Sequence, residues 1–294
     1  EYPRYSPDGR WLAMLSQDLR KSYVAPFQLT LYDRTRNRLS PAVSAHWDRS
    51  FHAPLAWSAD SKSVLFAAED RARQHLYRWT LGTRAPDVVA QGGIVSEFDL
   101  AQDCCVFIRN TMGTPPAVFW AAPGEDERRI DRFNDELMAG VRLGEVREFE
   151  IAGWRGEKVQ MWAVYPPDFD AGKTWPLLHN IHGGPHGIWG DNFHFRWNNH
   201  VFAAQGYVVV CVNYHGSSSF GQEFLQSIDG EWGKRELADI EAGTDFMLQQ
   251  GYIDTERLVA AGGSYGGYMV AWMNGHTDRY KAYVCHAGCF DWVA

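Results

Sequence analysis

Gly262-Gly263-Ser264-Tyr265-Gly266 has the spacing of a serine that its own backbone turns into a nucleophile. In a G-x-S-x-G turn the serine occupies a sharp strand-to-helix corner. Its neighbours must accept unusual dihedrals and close backbone approach, which glycine permits. The corner lifts the Ser264 hydroxyl above the sheet. It also aims the Tyr265 backbone N–H, at a helix N-terminus, at negative charge that develops on a substrate oxygen. That is the equipment of acyl transfer through a covalent intermediate. Glycine is abundant, 28 of 294 residues, so a glycine-rich turn with an idle serine is the alternative. The flanks narrow the choice. Leu258 to Ala261 form a short apolar run that suits a central parallel strand, and a helix opens at Gly267-Tyr268. A second loop, His182-Gly183-Gly184-Pro185, follows the strand-like run Pro176 to Ile181, where an oxyanion loop belongs.

Other elements must hold these two loops. Val146 to Ile151 and Lys158 to Tyr165 alternate around a Gly153-to-Gly156 turn and read as an antiparallel hairpin at a sheet edge. Phe195 to Gln205 reads as a helix. Tyr207 to Val212 is a nearly continuous β-branched run, as in a strand buried on both faces. Glu236 to Gln250 reads as a second helix, and Tyr280 to Cys285 as the strand after the serine. Strands alternating with helices indicate a doubly wound α/β sheet.

Residues 1–135 have a different grammar. Tyr5-Ser-Pro-Asp-Gly-Arg-Trp-Leu-Ala-Met-Leu15 resembles Trp57-Ser-Ala-Asp-Ser-Lys-Ser-Val-Leu-Phe-Ala67, and a degraded third copy runs from Phe98 to Ile108. Each joins an aromatic residue, a polar turn and an apolar strand. Repeats of about 40 to 50 residues fit β-propeller blades. About two and a half blades are legible, which implies further blades upstream or another meandering β array. Pro115-Pro116 and the charged stretch Pro123 to Arg129 break the pattern, and the second reads as a solvated turn. The boundary expected from this reading separates a partial propeller, 1–135, from a partial α/β-hydrolase domain, 136–294, that lacks its C-terminal part.

Composition sets the outer limits. Hydrophobic residues are 45% and charged residues 22%, the profile of a soluble globular protein. The net charge of -8 argues against a nucleic-acid or acidic-membrane partner. No run of 18 apolar residues occurs, so no transmembrane helix is expected. The start, Glu1-Tyr-Pro-Arg-Tyr5, lacks Met and a signal-peptide shape, so the chain reads as beginning inside something larger or after processing. Cys104, Cys105, Cys211, Cys285 and Cys289 are too irregular for a disulfide framework and read as buried thiols. His179, His182, His186, His194 and His200 cluster without a His-Glu-x-x-His pattern, so neither a metal nor another cofactor is expected. Asp229, Glu231, Asp239 and Glu241 flank a helix start and read as structural.

Taken in order, His182-Gly-Gly-Pro185, Asn213-Tyr214 with Gly216-Ser217, Phe220-Gly221, Trp232-Gly233, Asp239 and Gly262-Gly-Ser-Tyr-Gly-Gly-Tyr-Met269 resemble the prolyl oligopeptidase family of serine peptidases. Phe195-Arg-Trp-Asn198, Gly275-His276 and His286-Ala-Gly288 look most like its dipeptidyl-peptidase V branch, with the acylaminoacyl-peptidase branch close behind. The resemblance is strong over 145–294 and architectural over 1–135. It implies that Ser264 is the nucleophile, with the Tyr265 N–H as one oxyanion donor and Gly184 or Gly183 as the other. It puts Phe290 and Trp292 near the pocket for the residue before the scissile bond, with core packing as the alternative. It also implies a propeller that restricts substrates to short peptides. Two positions depart from the family pattern: His215 stands where many members have Arg, and Asn180 where many have Tyr.

This fold orders its triad Ser, Asp or Glu, then His. After Ser264 come only His276, Asp278, His286 and Asp291, none with the expected order and distance. The acid and base are therefore expected beyond Ala294, and this segment alone is expected to be inactive. The reading that follows is a serine exopeptidase releasing dipeptides from free N-termini. Release of N-acylated residues, an esterase-type hydrolase and a non-catalytic propeller binding protein are the alternatives. Self-association into a homo-oligomer and the compartment, cytoplasmic or periplasmic, are left open by the sequence.

Overall fold

A computed structural model describes residues 1–20, 22–102 and 104–291. The chain divides into two compact units, Glu1–Ala139 with Gly190–Phe193, and Gly140–Trp189 with His194–Ala294.

The first unit is a series of antiparallel meanders. β1 (Arg4–Tyr5), β2 (Trp11–Ser16), β3 (Gln28–Asp33) and β4 (Arg38–Leu39) pair in sequence order. β5 (Phe51–Trp57), β6 (Ser63–Asp70), β7 (Arg73–Thr80) and β8 (Asp87–Ala90) form the second meander. β9 (Ile94–Ala101), β10 (Cys104–Thr111), β11 (Thr114–Ala121) and β12 (Arg128–Arg129) form the third. A single parallel bridge, Gln74 to Ile94, links the second to the third. Each repeat read from the sequence lies at the turn between the first and second strands of its meander. In the first turn Ser6 Oγ donates to Asp8 Oδ1, 2.5 Å, and accepts from Trp11 N–H, 2.9 Å. In the second turn Ser58 Oγ donates to Asp60 Oδ1, 2.7 Å, and accepts from Ser63 N–H, 2.9 Å. The same side-chain turn is built twice from the same letters.

The middle meander is buried on both faces. Alternation along β6 sends Val64, Phe66 and Ala68 into a cluster with Leu15, Leu29, Phe51 and Trp79. It sends Leu65 and Ala67 into another with Val95, Cys105 and Phe107. The Phe51 and Phe66 rings stack at 3.8 Å. Two expectations are corrected here. Pro115 and Pro116, read as a break in the pattern, fall within a strand. They lie inside β11 where its register with β10 shifts, so no ladder N–H is required of them. Arg128-Arg129 is a short strand on Phe119-Trp120, which completes a full third meander where only half was expected.

The second unit is a six-stranded sheet in the order β13-β14-β16-β15-β17-β18. β13 (Val146–Ala152) and β14 (Lys158–Val164) are the edge hairpin, and β14 runs antiparallel to β16 (Val208–Asn213). β15 (Trp175–Ile181), β16, β17 (Ile253–Gly263) and β18 (Ala282–His286) are parallel. Every residue of β16 is buried, as its β-branched run requires. The short helix α1 (Asp135–Met138) precedes this unit. Four further helices follow: α2 (Asn199–Ala203), α3 (Gln222–Gln226), α4 (Arg235–Leu248) and α5 (Tyr265–Asn274). Ile240 and Met247 of α4, with Met269, Val270 and Met273 of α5, pack on Met161, Leu177, Val210, Val212 and Leu258 of the sheet. Burying each such side chain contributes about 1.5–3 kcal/mol.

The helix expected over 195–205 is only α2. Its start is fixed by Asn198, whose Oδ1 accepts the His200 N–H at 3.0 Å. Before it, His194 Nδ1 accepts the Arg196 and Trp197 N–H groups and holds a turn. The thiols also divide. Cys105 and Cys211 are buried as expected, whereas Cys285 and Cys289 are exposed.

Candidate active site

Three loops leave the C-terminal ends of the parallel strands β15, β16 and β17, the edge where open α/β sheets carry their ligands. Ser264 sits at the end of β17 with φ 58° and ψ -120°, and it is exposed. Such a conformation on a residue with a side chain costs on the order of 1–3 kcal/mol and persists only when the surroundings enforce it. They do. Ser264 N–H donates to the His286 carbonyl, 2.9 Å, and the Ser264 carbonyl accepts the Tyr268 N–H, 3.0 Å. A Cβ at Gly266 would overlap the Ile181 carbonyl oxygen and come within 2.9 Å of the His182 oxygen, so only glycine lets α5 begin this close to β15.

The His182-Gly183-Gly184-Pro185 loop lies against this elbow. A Cβ placed on Gly183 would stand 3.3 Å from Ser264 Cβ and 3.8 Å from Ser264 Oγ. Gly184, with φ 133°, is exposed beside it. The loop is shaped from beneath by Tyr214, which follows β16. The Tyr214 hydroxyl donates to the His182 carbonyl at 2.8 Å, and the two rings stack at 4.1 Å. Ser217 Oγ donates to the Tyr214 carbonyl, 2.6 Å, and lies 2.9 Å from His182 Nε2, while His182 Nδ1 lies 2.9 Å from the Gly183 carbonyl. Burial pushes His182 down to about 4, which keeps the ring neutral. His186 Nδ1–H donates to the Gly216 carbonyl at 2.7 Å and ties the far side of the loop down.

Behind the elbow the Tyr265 side chain is 1% exposed, and its hydroxyl donates to Glu236 Oε1 at 2.5 Å. Trp197 approaches from the front. Its ring lies 3.1 Å from where a Cβ on Gly263 would stand and meets the His286 ring edge-on at 5.3 Å. Phe290 is exposed, and Trp292 lies outside the described residues.

Among the described residues, no side chain is hydrogen-bonded to the Ser264 hydroxyl. His276 stacks on Trp272 at 4.0 Å and gives its Nδ1–H to the Trp272 carbonyl. His286 presents its carbonyl, rather than its ring, to Ser264. The structure does contain a histidine–aspartate pair, but elsewhere. His215 Nδ1–H donates to Asp239 Oδ2 at 2.6 Å, and His215 Nε2 meets Glu157 Oε2 at 3.1 Å. Asp239 also accepts the Trp154 and His215 backbone N–H groups, each at 2.7 Å. With both ring nitrogens engaged, this pair ties α4 to two loops and offers no free base.

Burial pulls the His215 pKa down, but the hydrogen bond and charge of Asp239, with Glu157 behind, outweigh it and the value is raised above 6.5. A raised histidine contributes stability that is fully present below the unfolded value, near 6.5, and lost as pH rises through the folded value. The melting-temperature gap between the wild type and His215→Gln is therefore expected to be widest at pH 6 and to close towards pH 9. Paired thermal melts across pH check this, and a gap that widens with pH contradicts it. His179 and His182 titrate with the opposite sign but are common to both proteins.

Sequence reading did not assign roles to Glu236, Ser217 or Trp197. Tyr214 and Ser217 were visible only as letters of a motif. Glu236 carried a usable signal, since an acid at position 236 shares the helical stripe of Ile240, Gly243, Thr244 and Met247.

Residues 193–294 match the family model described as the prolyl oligopeptidase family. A probable dipeptidyl-peptidase 5 of Aspergillus terreus is 37% identical over 98% of this chain and 41% of its own length. The dipeptidyl-peptidase 5 of Trichophyton equinum is 35% identical with the same coverage. This chain thus spans about two-fifths of the length of the curated relatives it matches. Among solved structures, Pyrococcus horikoshii acylaminoacyl peptidase superposes with a TM-score of 0.85 at 24% identity, covering 97% of this chain and 44% of its own. Porphyromonas gingivalis dipeptidyl peptidase 4 gives 0.77 at 22% identity, covering 99% and 41%. These two share the fold, blade-type meanders followed by an α/β-hydrolase sheet. The glycine-flanked serine turn, the glycine loop and the fold agree with the family-model match, which assigns residues 193–294 to the prolyl oligopeptidase family.

Proposed function

We propose that this chain carries the nucleophile and oxyanion hole of a serine exopeptidase that releases dipeptides from free peptide N-termini. The observation that carries the reading is the placement of Gly183 against Ser264 on a strained elbow, in a chain whose relatives at 35–37% identity are named dipeptidyl-peptidase 5. Ser264 Oγ attacks the peptide carbonyl. The Tyr265 N–H and the N–H of Gly184, or of Gly183, receive the oxyanion. Each such donor contributes roughly 10²–10³ in kcat. The C–N bond breaks as the amine leaves with a proton, and water then releases the acyl group. The base is a histidine held by a carboxylate, and no described residue is assigned to it. Phe290, exposed on the loop that packs by Gly288 on the start of α5, is assigned to the pocket for the residue before the scissile bond.

The test compares one chromogenic dipeptide amide with its N-acetylated twin, using the full-length protein. Hydrolysis of the free form alone is expected. Hydrolysis of the blocked form alone moves the assignment to acyl-peptide release. Cleavage of a simple ester with neither amide cut replaces the peptidase with an esterase.

A further inference from the structure

We infer that Glu236 is a positioning residue for the oxyanion hole, holding the Tyr265 ring from beneath so that the backbone N–H at the elbow is fixed in place. The inference rests on the proposed roles of Ser264 and Tyr265. Glu236 lies in the first turn of α4 with no exposed surface. Its Oε1 accepts the Tyr265 hydroxyl at 2.5 Å and its Oε2 accepts the Gly233 N–H at 3.1 Å, so both oxygens are used. Leaving a carboxylate in an apolar stripe is costly unless it is fully bonded, and an apolar residue there would serve the core better.

What the carboxylate holds is specific. The Tyr265 ring is enclosed by Trp232 at 5.6 Å, Tyr268 at 5.2 Å and Tyr214 at 6.4 Å. Tyr214 in turn carries the His182 carbonyl and ring. One aromatic cluster therefore underlies both proposed donors, the Tyr265 N–H and the glycine loop, and the Glu236 carboxyl is the anchor at its base. Burial and the neighbouring carboxylate hold the Tyr265 phenol far above its ordinary range, so it stays a donor. A backbone N–H displaced by a fraction of an ångström still binds the ground-state carbonyl but loses strength where charge develops.

The test uses the full-length protein and three variants, Glu236→Leu, Glu236→Gln and Tyr265→Phe. Glu236→Leu and Tyr265→Phe are expected to lower kcat by about 10- to 100-fold with KM within about 2-fold. Glu236→Gln, which keeps an acceptor for the phenol, is expected to recover at least a third of the wild-type kcat. A peptide boronate, which forms a tetrahedral adduct on the serine, should lose affinity in step with kcat, while the product dipeptide should bind unchanged. Wild-type kcat in folded Glu236→Leu and Tyr265→Phe overturns the inference. So does a loss in all three variants that tracks the melting temperature and KM together. If Glu236→Leu does not fold, Tyr265→Phe and Glu236→Gln decide by the same criteria. Ser264→Ala separates the two levels. Activity surviving in it defeats the functional reading, whereas a dead Ser264→Ala beside a normal Tyr265→Phe defeats only the positioning role.

Discussion

Ser264→Ala in the full-length protein is expected to lower kcat by about 10⁴- to 10⁶-fold, with KM within a few-fold of the wild type. The loss is large because removing the nucleophile abolishes the covalent path, while the donors left behind still support a small rate over water. The melting temperature should move little. The Ser264 side chain is exposed and unbonded among the described residues, and the positive φ is a property of the elbow that alanine inherits. A kcat within 10-fold of the wild type would show that the acyl group is carried elsewhere.

Asp239→Ala is expected to act on the fold. Asp239 has no exposed surface and accepts the Trp154 N–H, the His215 N–H and the His215 ring. Truncation strands all three donors in the interior and removes the partner of a histidine that Asp239 helps to keep charged. Breaking a buried pair in this way costs about 3–5 kcal/mol, which corresponds to a fall of roughly 10 °C in melting temperature for a unit of this size. Calorimetry of the full-length variant reads it. The sequence placed this acid at a helix start for the sake of the dipole. It lies in the second turn, and its role comes from the loops on either side of it.

The elbow, its strand and its helix were legible because each is local. The G-x-S-x-G letters specify a corner, the apolar run before it specifies a buried strand, and both refer to residues within one turn of Ser264. The blades were legible where the turn chemistry repeats, at Ser6-x-Asp8 and Ser58-x-Asp60. The third meander was read as a fragment because its corresponding turn keeps neither serine nor glycine, and Gln102 takes the positive φ, 57°, instead. The residues that shape the site from below were not legible. Glu236 and Tyr265 are 29 positions apart, and Tyr214 and His182 are 32 apart. Pairs of that separation meet only through the strand order β16-β15-β17, which no local pattern encodes.

The central claim, that Ser264 is the nucleophile of this peptidase, is tested most directly by a dipeptidyl phosphonate ester that phosphonylates an activated serine. The full-length protein is inactivated to completion, digested and mapped by mass spectrometry. One adduct per chain is expected, on Ser264, appearing in proportion to the activity lost. Complete inactivation with an unmodified Ser264 peptide, or full activity with that peptide fully modified, would contradict it.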